Sequence, residues 1–174
     1  MESTIIVAII GAIATVSAAL ITAWAKDMNF AETLKLQKFP HSPMLPASKY
    51  GIDIVTPAEY EQVDLAFEVS GTYKNLPEGH QIWVSTFRVS GNKVKHYWPQ
   101  EKATTKNGKW YSKVYNISGQ SGESKEFLVL VIGSEGQALF RYFKETGSEN
   151  KNWPAIKELT SDVVEGAIGK VRLK

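Results

Sequence analysis

The hydrophobic pattern divides the chain near its start. From Thr4 to Ala25, TIIVAIIGAIATVSAALITAWA, 22 consecutive residues carry no charge. As a helix they would span about 33 Å at 1.5 Å per residue, enough for a hydrocarbon layer of roughly 30 Å. A buried core helix rarely runs so long without a polar face, so the pattern predicts a membrane helix. Ala23-Trp24-Ala25 also has the small-x-small form of a signal cleavage site. Against cleavage, the flank Met-Glu-Ser has an acid and no Lys or Arg, and the apolar run exceeds that of a usual signal. A retained anchor is the preferred reading and cleavage after Ala25 the alternative. Within the run, Ala8, Gly11, Thr15, Ala18 and Thr22 fall on one stripe, while Ile5, Ile9, Ile13, Val16 and Leu20 fall largely elsewhere. Small residues let helices approach in lipid, so the stripe predicts packing against a second copy or another membrane protein. The plainer reading is that Ala and Gly are common in membrane helices.

Residues 27–38 can continue a helix, with Phe30 and Leu34 four apart, as a stalk or interfacial segment. FPHSPMLPASKYG follows, and its prolines predict a stiff linker over residues 39–50. Beyond it the period changes to two. EQVDLAFEVSG alternates Val63, Leu65, Phe67 and Val69 with polar neighbours and reads as one half-buried strand. HQIWVSTFRV sets Ile82, Val84 and Thr86 against Trp83, Ser85, Phe87 and Val89; Ser90-Gly91-Asn92-Lys93 is a hairpin turn, and KVKHYWPQ returns. Asn107-Gly108 marks a second tight turn before KWYSKVYNIS, which sets Trp110, Ser112 and Val114 against Tyr111, Lys113 and Tyr115. KEFLVLVIG is apolar enough for a central strand. EGQALFRYFKETG predicts a short helix with Ala138, Leu139, Tyr142 and Phe143 on its buried face and Gly147 as its stop. VVEGAIGKVRLK reads as a last strand, with Gly166 and Gly169 at bulges or bends. Many short strands without βαβ alternation predict an all-β, antiparallel sandwich with one short helix, and a small barrel as the main alternative. The expected division is residues 1–26 as membrane helix and flank, 27–50 as stalk and linker, and 51–174 as the β-sandwich.

Charge changes this picture mainly through topology. All 20 Lys and Arg residues lie at or after Lys26, with 17 of the 18 acids, so the folded part carries about +3 (20 minus 17). So weak a net charge does not argue for nucleic acid. Lys26, Lys35 and Lys38 lie only on the carboxy-terminal flank of the apolar run, which predicts a cytoplasmic carboxy-terminal domain. The chain has no Cys, which removes disulfides, thiolate nucleophiles and Cys-based zinc sites.

IDIVTP, Val69-x-Gly-Thr-Tyr, LPEGHQIWV, YWPQ, NGKW and a strand leading into QALFRYFKETG together form a pattern. It resembles the immunoglobulin-like β-sandwich that follows one or more membrane helices in assorted bacterial membrane and signalling proteins. The resemblance covers residues 51–174. It implies that IWV is a core strand and that YWPQ ends the next strand of the hairpin. It also implies a membrane-tethered recognition or regulatory module in the bacterial inner membrane. Its motifs specify a fold and no activity, and the inter-sheet disulfide of antibody domains is missing.

Catalytic chemistry finds little support. His41, His80 and His96 are the three histidines, and no G-x-S-x-G elbow accompanies them. His80 and His96 flank one hairpin and are the candidate pair for a metal, but no third ligand suggests itself. Glu59 and Glu61 read as surface charges. Gly133-Ser134-Glu135-Gly136 leads into the helix and is a weak candidate for holding an anion. No catalytic residue, metal ligand or cofactor is expected. The aromatics Trp83, Tyr97, Trp98, Trp110, Tyr111 and Tyr115 crowd one region, where they can be core or a stacking surface. Tyr97 and Trp98 are adjacent and must face opposite ways on a strand. The candidate ligand or partner surface is therefore His96, Tyr97, Trp98 and Tyr111 with Lys93 and Lys95. Lys102, Lys106, Lys109 and Lys113 extend a basic edge that can meet anionic headgroups or an acidic partner, or merely protect a strand edge.

The expectation is a non-enzymatic, membrane-anchored recognition module whose partners are the lipid bilayer and a second membrane helix. One alternative is an effector whose assembled helices permeabilise the bilayer, with the sandwich as sensor. Another is a secreted carbohydrate-binding domain, if the chain is cut after Ala25.

Overall fold

Residues 127–132, FLVLVI, are six apolar residues in a row, and every one is buried in the computed structural model, which describes residues 46–91 and 93–174. A strand that is apolar on both sides needs cover on both faces. This strand has it, because the domain has three layers: a four-stranded sheet, a five-stranded sheet and a helix.

The elements run α1 (Ala47–Tyr50), β1 (Asp53–Thr56), β2 (Glu61–Val63), β3 (Phe67–Thr72), β4 (Gln81–Val89) and β5 (Lys95–Lys102). Then come β6 (Thr104–Lys106), β7 (Lys109–Val114), β8 (Ser124–Ile132), α2 (Ser134–Asn150) and β9 (Val163–Leu173). One sheet has the order β1-β3-β7-β6 and the other β2-β9-β8-β4-β5. The first core fills the space between them with Ile82, Val84, Phe127, Val129 and Val131 from one sheet and Phe67, Val69, Trp110 and Val114 from the other. The second core lies on the outer face of the five-stranded sheet, where Trp83, Tyr97, Leu128, Leu130 and Ile132 meet Phe140 of α2. The alternation along β4 and β8 thus serves two cores at once.

The expected β-sandwich is present, as are the central strand and the Asn107-Gly108 turn, whose residues both have positive φ (51° and 73°). Several particulars differ. EQVDLAFEVSG is not one strand: β2 and β3 belong to different sheets, and the chain crosses between them at Asp64–Ala66. Leu65 therefore lies 54% exposed while Val63 and Phe67 are buried. The architecture is not purely antiparallel, because β2 pairs parallel with the end of β9. Tyr50, at the end of the stretch read as linker, is fully buried in the inter-sheet core.

The helix differs most. It buries Gly136, Phe140, Phe143 and Gly147, leaves Tyr142 67% exposed and runs past Gly147 to Asn150. Ala138 is exposed as well. Gly147 is not a stop. A Cβ there would lie 2.3 Å from the Trp153 ring, so the glycine is where that indole rests on the helix. Among the described residues no helix is long and apolar enough to cross a membrane. The membrane-helix reading, with its stripe Ala8, Gly11, Thr15, Ala18 and Thr22, lies outside the described residues.

The two glycines of β9 divide as well. Gly166 is the extra residue where Val129 faces Ala167 but Leu130 faces Glu165, a bulge as expected. Gly169 is instead a close approach: it pairs with Phe127, and a Cβ would sit 2.1 Å from that ring's Cζ. Phe127 in turn meets Phe67 edge-on at 5.8 Å across the sheets. Gly169→Ala should therefore cost about 1–3 kcal/mol, since a fully buried ring must shift. Gly91→Ala, which meets open space, should change stability by less than about 0.5 kcal/mol when both variants are unfolded in urea.

Candidate functional site

The twist of β4 and β5 past the end of α2 leaves a cleft of about 550 Å³. Its walls take residues from both faces of these strands: Thr86, Trp98 and Gln100 from one, Phe87 and Pro99 from the other. Tyr115 and Ile117 close one side, and Phe143, Lys144 and Trp153 close the side of the helix. Pro99 is tolerated in β5 because β5 is an edge strand, where a missing N–H disturbs fewest ladder bonds.

Several contacts fix these walls. Trp153 packs on Phe143 with ring centroids 5.5 Å apart, and the Lys144 ammonium lies 6.0 Å from the Trp153 ring centre. The same ammonium donates to the Gln100 carbonyl at 2.9 Å, and the Trp98 indole N–H donates to the Trp153 carbonyl at 3.1 Å. Gln100 is held in turn, accepting the Tyr115 amide on Oε1 at 2.8 Å and donating from Nε2 to the Trp98 carbonyl at 3.1 Å. Tyr115 has its phenol pKa raised, first by desolvation and then by a hydrogen bond to Glu101 and that group's charge. The walls are therefore aromatic planes set by polar contacts, with Arg88, Lys125 and Lys144 supplying cations and Glu126 an anion. Such a lining suits a ligand with a flat apolar face and polar edges.

The residues singled out in the sequence do not converge. Trp98 lines the cleft and His96 lies beside it, ring centroids 6.4 Å apart. Tyr97 and Lys95 face the other way, toward the outer side of the five-stranded sheet. There the Tyr97 hydroxyl donates to Glu165 Oε1 at 3.0 Å, and the Lys95 ammonium pairs with Glu165 Oε2 at 2.5 Å. Lys93 is exposed in the β4–β5 turn. Tyr111, 51% exposed, lies on the outer face of the four-stranded sheet between Ser70 and Thr104. Trp83 and Trp110 are core residues, one in each core. The aromatic cluster of the sequence is thus spread over three surfaces, because strands β5 and β7 lie in different sheets.

Trp153, Phe143 and Lys144 complete the cleft. The helix phase would have offered Phe143; Trp153 sits in a polar stretch whose pattern gives no sign of it.

Two weaker candidates from the sequence can also be placed. His80 and His96 do not meet: His96 pairs with Arg88, eight positions along β4 from His80, or about 26 Å at strand rise. Among the described residues no group of three His, Cys, Asp or Glu side chains could hold a metal ion. The helix start at Gly133–Gly136 does hold an anion, and it is the chain's own. The Asp162 carboxylate accepts the Glu135 and Gly136 amides at 2.7 and 2.9 Å and the Thr160 hydroxyl at 2.7 Å. A Cβ on Gly133 would lie 2.5 Å from that carboxylate, so this glycine admits Asp162 to the positive end of the helix.

Comparison with family models, curated proteins and solved structures finds no match to this chain.

Burial, the hydrogen bond to Glu165 and the negative charge of Glu165 together push the Tyr97 phenol from 10.0 up to about 12. A raised folded-state pKa means the contribution is complete below pH 10 and is lost as pH rises toward 12. In urea unfolding at pH 9 to 12, the loss of stability specific to Tyr97 should vanish in Tyr97→Phe. Equal alkaline slopes for the two proteins would contradict this.

Proposed function

We propose that the protein is a non-enzymatic, single-pass, membrane-anchored recognition or regulatory module of the bacterial inner membrane. Its folded domain would face the cytoplasm and bind a partner or ligand at the membrane surface. The observation that carries this reading is the charge-free run from Thr4 to Ala25 followed by a separate β-domain with its own two cores. Anchoring raises the local concentration of a domain at the bilayer and makes a second contact effectively intramolecular. The cleft beside Trp98 and Trp153 is the ligand or partner site of this proposal.

An immunoglobulin-like assignment is supported by strand order. The sheet β1-β3-β7-β6 corresponds to the A-B-E-D sheet of such domains, and β2-β9-β8-β4-β5 to G-F-C with one added strand at each edge. On that correspondence, α2 and residues 151–162 are an insertion in the F–G connection. In variable domains the same connection is a recognition loop, and here it supplies Phe143, Lys144 and Trp153 to the cleft.

The small-residue stripe Ala8, Gly11, Thr15, Ala18 and Thr22 favours a second reading, in which assembled helices disturb the bilayer and the domain acts as sensor. Leakage of dye from vesicles holding the full chain separates that effector from a passive tether.

The anchored reading is tested by intact mass of the membrane-extracted chain together with protease protection in spheroplasts. An intact Met1 form with the domain protected is expected. A chain starting at Lys26, or a domain digested from outside, would overturn the anchored topology and favour a secreted binding domain.

A further inference from the structure

One end of the sandwich is held together by backbone hydrogen bonds that gather lysines. The Lys74 and Asn75 amides donate to the Tyr50 carbonyl, at 2.9 and 3.4 Å, and the Asn75 side chain donates to the Lys49 carbonyl at 2.7 Å. The Tyr73 amide donates to the Gly108 carbonyl at 2.9 Å. This sets α1, the end of β3 and the Asn107-Gly108 turn side by side. Lys49, Lys74, Lys106 and Lys109 therefore share one end face, and all four are exposed. Lys106 and Lys109 are direct cross-strand partners, an unfavourable like-charge pairing unless an anion meets them.

Elsewhere on the domain four lysines have carboxylate partners: Lys95 with Glu165, Lys125 with Glu123, Lys170 with Glu59 and Lys174 with Asp64. Among the described residues no carboxylate lies within 4.0 Å of the ammonium groups of the four end-face lysines. Asp53, opposite Thr72, is an acid beside them, since Thr72 in turn faces Lys109; Glu135 lies in the first turn of α2. The described chain begins at this same end, where the Lys49 amide donates to the Pro46 carbonyl at 2.8 Å. Some 20 residues separate Pro46 from Ala25. That length reaches up to about 70 Å when extended, so the tether permits contact with the bilayer and does not by itself set the domain's height.

We propose that the Lys49, Lys74, Lys106 and Lys109 face docks on anionic lipid headgroups, holding the sandwich end-on against the membrane. The choice of a lipid surface rests on the anchored reading above; the charge cluster does not. Anionic lipid attracts each basic residue near the surface strongly enough to change partitioning by roughly fivefold. Four such residues give a contact that salt weakens, because the potential decays within a Debye length. End-on docking would leave the cleft, at the far end of β4 and β5, turned away from the bilayer and open to a cytoplasmic ligand.

The test is amine footprinting of the full chain with vesicles of zwitterionic lipid alone or with one-third phosphatidylglycerol. Lys93, exposed at the opposite end of β4, serves as internal control. The expected result is several-fold slower labelling of the four lysines in anionic vesicles, unchanged Lys93, and reversal in 0.5 M NaCl. Equal labelling in both lipids would overturn the proposal. So would protection by soluble polyglutamate without protection by the vesicles, which would assign the face to an acidic protein. Flotation with zwitterionic vesicles reports separately on the anchor. If the chain fails to float there, it is added to preformed anionic vesicles. Affinity in co-sedimentation lowered by roughly several hundredfold in a K49Q/K74Q/K106Q/K109Q variant would then support the face, and absence of co-sedimentation would overturn it.

Discussion

Strand β8 is the constraint on which the rest of the domain depends. Phe127, Val129 and Val131 point into the space between the sheets, and Leu128, Leu130 and Ile132 point toward α2. Burying one large apolar side chain is worth about 1.5–3 kcal/mol, so six in one strand exceed what any edge strand here can supply. A sandwich alone would cover one face and leave the other apolar face in water. The helix between β8 and β9 covers that second face, and Asp162 fixes where it begins. The cleft is a consequence, since its α2 wall is present only because β8 requires a third layer.

Close approach is the second theme. Gly133 gives way to a carboxylate, Gly147 to an indole and Gly169 to a phenyl ring. In each case a side chain from another segment occupies the space of a missing Cβ. These glycines position Asp162, Trp153 and Phe127, which set the helix start, the cleft wall and the junction between sheets. The polar cluster of Lys95, Tyr97 and Glu165 acts in the same sense, linking edge strand β5 to β9 across the outer face.

Much of this was legible in the sequence, for physical reasons that can be named. Continuous burial at FLVLVI, the two-sided alternation of HQIWVSTFRV and the Asn-Gly turn are local signals, and each is present in the structure. The division of EQVDLAFEVSG between two sheets was not legible, because alternation fixes which side chains share a face and not which sheet a strand joins. The helix face was misplaced by one position in phase, since Tyr142 and Ala138 are apolar enough to mislead and Gly136 and Gly147 contribute no hydrophobic signal. The candidate aromatic surface dispersed for the same reason: neighbours in sequence on β5 and β7 lie in different sheets. Trp153 reaches the cleft through long-range packing on Gly147, and that packing leaves no periodicity to read.

The most direct test of β8 as a shared support is native-state hydrogen exchange followed by mass or magnetic resonance as urea is raised. If both cores hang on this strand, the amides of β8 and of the buried face of α2 should exchange through the same global unfolding, with one urea dependence. Exchange of Phe140 and Phe143 through a separate, lower-energy opening that leaves β8 protected would contradict it. The helix would then be a detachable cover, and the cleft wall it supplies would not be a fixed part of the fold.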